Sequence, residues 1–163
     1  MKKNPMNFAT RIFLAGFLTA VITGVSFAQE AKGGGGRLVG TWDAKVQIKD
    51  CTTGVVSETF DSIASFNQGG TSVGSTAGRP QSSRTPEHGV WRHLAGNTYI
   101  FKAKSFSFNP MGVAFGYIIL AHEVVLDESG DSYTSEGGVT VHALNGTQIG
   151  SGCSSAVGTR FDF

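Results

Sequence analysis

From Leu38 onward, apolar residues recur at every second position, and polar or glycine-containing turns break the pattern every 8 to 14 residues. Alternation at period two is the signature of strands with one buried and one wet face, so the pattern predicts an all-β domain. The clearest strand is expected over Thr41–Asp50, where Trp42, Ala44, Val46 and Ile48 alternate with Asp43, Lys45, Gln47 and Lys49. Thr53-Gly54 turns the chain into a second strand over Val55–Asn67, and Gly69-Gly70 leads to a short third over Thr71–Thr76. Gly78 to His88 holds Pro80, Pro86, two arginines and two serines and reads as a long exposed loop. Five more strands are expected over Val90–Ala95, Thr98–Asn109, Val113–Leu126, Ser132–Ala143 and Thr147–Phe161, joined by tight turns that suit antiparallel hairpins. Within the fifth, Tyr99 and Phe101 fall on odd positions while Phe106 and Phe108 fall on even ones, so a bulge near Lys104 is expected to restore one inward face.

Eight antiparallel strands in meander order can close on themselves, which removes both exposed edges. In a closed meander the first and last strands are antiparallel, so paired positions share a nearly constant index sum. Cys51 with Cys153 and Trp42 with Arg160 give sums of 204 and 202, close enough for one register. The expectation is an eight-stranded antiparallel up-and-down barrel.

The first 28 residues stand apart from this domain. Lys2, Lys3 and Arg11 form a positive start, and Ile12–Val25 is an uncharged, mostly apolar run of 14 residues. Ser26-Phe27-Ala28 then sets small residues at the two positions a signal peptidase inspects, so residues 1–28 read as a signal peptide. Such a run is shorter than the roughly 20 residues a membrane helix needs. Removing 28 of 163 residues leaves a mature chain of 135, secreted or periplasmic. Residues 29–37, ending in a glycine run, read as a flexible linker, and 38–163 as the barrel domain. With two cysteines in an exported chain, a Cys51–Cys153 disulfide is the simplest expectation; a zinc pair or redox dithiol would use CxxC spacing or adjacent ligands.

Charge narrows the partners. The whole chain carries 13 basic and 12 acidic residues, so no general attraction to phosphate backbones exists and nucleic acid is not an expected partner. The charged set on the first strand also speaks against an apolar lipid-facing belt, so membrane insertion is not expected, although an outer-membrane barrel with that set turned into its lumen stays an alternative.

Gly40-Thr41-Trp42 on the first strand, together with Arg160 near the end of the last, resembles the lipocalin and wider calycin signature. In that family the tryptophan closes one end of the barrel and an arginine lies across it. The resemblance implies a calycin-like barrel with structural roles for Trp42 and Arg160 and a ligand cavity toward the opposite, open end. The lipocalin C-terminal helix has no counterpart after the last strand, which is closer to a small bacterial-type calycin-like barrel.

Candidate chemistry is sparse. No nucleophile elbow, phosphate-cradling loop or helical zinc motif occurs, and His88 and His93, five apart, fall on opposite strand faces; neither a metal nor a cofactor is expected. Trp91 and His93 share a face, and Tyr99 and Phe101 follow across a two-residue turn, an aromatic set suited to a cavity mouth or to ordinary core. On the sixth strand Tyr117, Ile119, Ala121 and Glu123 share one face, while Ile118, Leu120, His122 and Val124 share the other. Parity leaves open which face points inward. The leading expectation is a binding barrel for a small, mainly apolar molecule, with Trp91, His93, Tyr99, Phe101, Tyr117 and Glu123 as ligand-contacting candidates and a pocket bordered by Trp91, Tyr99 and Tyr117. The alternative is a cyclase or isomerase in which Glu123, His122 or Tyr117 assists proton transfer.

Overall fold

Eight strands follow one another in the computed structural model, which describes residues 35–163; the expected signal peptide and linker residues 29–34 lie outside the described residues. They are β1 (Gly40–Lys49), β2 (Val56–Asn67), β3 (Thr71–Thr76), β4 (Glu87–Ala95), β5 (Thr98–Phe108), β6 (Ala114–Leu126), β7 (Ser132–Ala143) and β8 (Gln148–Arg160). Each pairs with its chain neighbour in antiparallel fashion, and β1 pairs with β8, so the sheet is a closed up-and-down barrel. Between β3 and β4 the chain makes only a short 3-10 turn, Gln81–Ser83.

The alternation of β1 becomes an inside and an outside. Trp42 and Ala44 are buried with Val46 and Ile48 above them, whereas Asp43 and Lys45 face solvent. Lys45 pairs with Asp61, and Lys49 reaches Glu136 at 3.3 Å, both on the outer wall. The closing seam runs in the expected register: Trp42 lies opposite Arg160 and Lys49 opposite Cys153, and the sulfur atoms of Cys51 and Cys153 are bonded, with their Cα atoms 5.1 Å apart.

The seams are unequal. β3 shares four residue pairs with β4, whereas β5 and β6 share eleven. Above Gly74 the gap is filled by residues 77–86, which hydrogen-bond to both flanks: Ala77 N–H donates to Asp61 O at 2.8 Å and Thr85 N–H to Phe106 O at 3.0 Å. Arg84 forms a bridge with Ser107 of β5. The exposed loop expected over 78–88 is thus part of the wall, and β4 begins at Glu87.

The expected bulge at Lys104 is corrected. Pairing between β5 and β6 is regular through that point, and the register shifts only between Ser107 and Phe108. Tyr99, Ala103 and Ser105 are buried, while Phe106 turns outward, where the Lys104 ammonium covers its ring 5.0 Å from the centroid. A cation above the ring substitutes for a place inside.

Candidate functional site

One end of the barrel is plugged. Trp42 is 0% exposed and donates from Nε1 to Leu38 O at 3.0 Å, and Tyr133 meets its ring edge-on at 5.1 Å. The Arg160 guanidinium lies 4.2 Å above the indole. It donates to Arg37 O at 2.8 Å, Val39 O at 3.0 Å and Gly130 O at 2.8 Å, so it satisfies the carbonyls of two crossing segments while stacking on a ring. Gly40 is required there. Its φ is +140°, and a Cβ would come 2.5 Å from the Arg160 Nη1. Arg37 ties the plug to the neighbouring turns through Asn97 Oδ1 at 2.8 Å and Glu128 O at 2.6 Å.

Above the plug the barrel holds a cavity of about 120 Å³, bordered by residues from β1 to β8. Its walls are chiefly apolar, with Val46, Ile48, Phe60, Phe101, Leu120 and Val139 among the lining side chains. The volume is on the scale of an engineered apolar cavity of about 150 Å³ that takes up benzene.

Besides the single hydroxyls of Ser62, Ser72 and Thr76, two polar clusters enter this lining. On the β6–β7–β8 wall, His122 is 6% exposed; its Nε2 lies 2.8 Å from Ser154 Oγ and its Nδ1 3.3 Å from Ser135 Oγ. The three are neighbours because His122 pairs with Gly137 and Gly137 with Ser154, one pleat above Ser135. Gly137 makes the seat: a Cβ there would stand 2.7 Å from His122 Cδ2. Burial drives the imidazole pKa down to about 4, against a small opposing pull from Glu136, so the ring is neutral near pH 7. The second cluster is Arg84 with Glu87, an ion pair whose side chains are 13% and 17% exposed. Burial raises the Glu87 pKa, and the Arg84 charge and hydrogen bond oppose that.

The expected site residues separate. Trp91, His93, Tyr99 and Phe101 do share the inner face of β4 and β5, with Trp91 5.9 Å and His93 4.9 Å from Tyr99 between ring centroids. Of these only Phe101 borders the cavity; Trp91, His93 and Tyr99 belong to the aromatic layer toward the plug. Trp91 Nε1 donates to Thr71 O at 3.0 Å and Asn67 O at 3.1 Å, and His93 Nε2 lies 2.8 Å from Gly96 O. Tyr117 and Glu123 are corrected as cavity residues: both are on the outer face of β6, out of phase with buried His122 and Val124. Tyr117 stacks on His142 at 4.9 Å and carries the Lys104 ammonium 3.8 Å above its ring. The pocket expected between Trp91, Tyr99 and Tyr117 is therefore replaced by one that His122, Ser135, Ser154, Arg84 and Glu87 border.

Among the described residues no cluster of three or more His, Cys, Asp or Glu side chains is arranged to hold a metal ion, and no helix is long and apolar enough to cross a membrane. No protein-family model matches the chain, and comparison with curated proteins and with solved structures returns no significant match.

Proposed function

We propose that this chain is an exported calycin-like barrel that binds a small, mainly apolar molecule in its interior. The observation that carries the reading is the interior cavity of about 120 Å³, lined chiefly by aliphatic and aromatic side chains and stoppered at one end by Trp42 and Arg160. A space of that kind gains by exchanging poorly bonded water for an apolar molecule. Export is supported by the signal-like N-terminal sequence and by the Cys51–Cys153 disulfide, which persists in an oxidising compartment.

Two features favour binding over catalysis. Arg84 and Glu87 neutralise each other, and both His122 nitrogens are engaged by serines, so the cavity presents no isolated acid or base. An imidazole whose pKa is about 4 is also a weak proton acceptor at neutral pH. A lipid-embedded barrel is disfavoured because Asp43, Lys45 and Asp61, the partner of Lys45, project from the outer wall.

Native mass spectrometry of the protein purified from its own cell envelope tests the proposal. A retained molecule on the order of a hundred daltons, released on denaturation, is the expected result; a chain of bare mass that also fails to take up a hydrophobic probe would count against it.

A further inference from the structure

The cavity wall made by β6, β7 and β8 carries a polar cluster that an apolar container does not need. His122 lies between Ser154 Oγ at 2.8 Å and Ser135 Oγ at 3.3 Å, and all three residues border the cavity. A neutral imidazole has one N–H and one acceptor nitrogen, and each hydroxyl has one proton, so the cluster owns three protons. Its two hydrogen bonds consume two of them. When Nε2 accepts from Ser154, the Nδ1 proton goes to Ser135 and the Ser135 hydroxyl proton is left over. When Nε2 donates, the leftover proton is on Ser154. One donor therefore remains beside the cavity in either tautomer, and the ring decides which serine presents it.

The cluster is rigidly seated, which separates it from a chance polar contact. Gly137 leaves room for the ring on one side, and Phe101 lies against it with centroids 5.4 Å apart on the other. The opposing groups in the cavity carry no net charge to attract an ion, since Arg84 is already engaged by Glu87. A carboxylate brought inside would have to break that pair or stay buried without a counter-charge.

We infer that Ser135, His122 and Ser154 form a tautomer-switched hydrogen-bond donor for the carbonyl or hydroxyl oxygen of an uncharged, otherwise apolar ligand. This rests on the binding reading above and adds the chemistry of the ligand's polar end. The leftover group is a donor, so the complementary ligand atom is an acceptor. Shifting the imidazole proton lets the same site serve an oxygen nearer β7 or nearer β8 without moving a side chain.

Three probes of nearly equal size test this by displacement of a hydrophobic fluorophore from the purified protein: acetophenone, ethylbenzene and benzoate. In a cavity without a donor, ethylbenzene binds tightest because the ketone must shed its hydration. Acetophenone is expected to bind at least as tightly as ethylbenzene, with benzoate weakest. Ser135→Ala, His122→Phe and Ser154→Ala together, which remove all three protons of the cluster at similar volume, should weaken acetophenone about tenfold, the scale of one buried hydrogen bond, and leave ethylbenzene unchanged. Imidazole ¹⁵N spectra should show the His122 tautomer ratio shifting with acetophenone and not with ethylbenzene. Ethylbenzene binding tenfold tighter than acetophenone in the native protein, or an unchanged ketone affinity in the triple variant, overturns the inference and leaves the binding reading standing. Benzoate binding tightest overturns it too and makes Arg84 the ligand's partner. Failure of all three to displace the fluorophore removes both.

Discussion

The two ends of the barrel are made of the same alternating strands and do opposite things with their polar groups. At the plugged end the cationic and indole donors are spent on the protein: Arg160 on three backbone carbonyls, Trp42 on Leu38 O, Arg37 on Asn97 and the carbonyls of Asp127 and Glu128. Toward the open end, polar side chains face an unfilled interior, His122 and its serines on one wall and Arg84 with Glu87 on another. Large aromatic rings fill the first region; Ser62, Ser72, Gly74 and Ala103 leave the second hollow. Substitutions at the plug should therefore cost stability, and substitutions around the hollow should change what is bound.

The largest expected effect is at the plug. Trp42→Ala should lower unfolding free energy by about 3–5 kcal/mol, the range for deleting a large buried aromatic side chain. Urea denaturation checks it, and a loss below about 1 kcal/mol would erase the contrast between the ends. Next comes the Cys51–Cys153 bond, which clamps the open end across 102 residues of chain. Replacing both cysteines with serine should cost about 2–4 kcal/mol in urea, mainly by freeing the unfolded chain. Its loss should spare the Trp42–Arg160 stack, visible as an unchanged near-ultraviolet signal from buried tryptophan.

A smaller effect comes from His122. Its folded pKa, about 4, lies below the ordinary 6.5, so between those values the unfolded chain holds more protons than the folded one. Stability is then fully present above about pH 6.5 and declines as pH falls toward 4, by up to about 3 kcal/mol. Glu87 acts in the opposite sense, because a raised carboxyl pKa favours the folded state as pH falls. The slope should flatten in His122→Gln and steepen in Glu87→Gln, read from urea midpoints at a series of pH values. The least effect belongs to the outer wall: Glu123→Gln should change stability by less than about 0.5 kcal/mol and leave probe binding unaltered.

Much of the fold was legible because β1 states its parity without ambiguity. Trp42 to Ile48 fixes the inner face, and the 202 index sum of Trp42 with Arg160 holds along the whole β1–β8 seam. The site was harder for a physical reason. β6 is apolar on both faces, so its parity has to be carried from β8 through β7, and that pairing contains an irregularity: Val141 with Gly150 sums to 291, His142 with Gln148 to 290. One residue of slip exchanges the faces, and with them Glu123 for His122. Ser135 and Ser154 carried no signal of their own, since serine on a strand reads as surface until its neighbour is known to be a buried imidazole. Arg84 and Glu87 were hidden in a proline-flanked stretch whose role depends on the gap left by a short β3.

That short stave gives the cylinder a direction of breathing. With four rungs joining β3 to β4, transient opening concentrates there, and traffic between lumen and solvent is expected to swing the Ala77–Pro86 arm aside rather than part the sulfur-clamped joint between β1 and β8. Amide protons along that arm should exchange with deuterium ahead of those in β6 and β7, and a bound guest should slow them first.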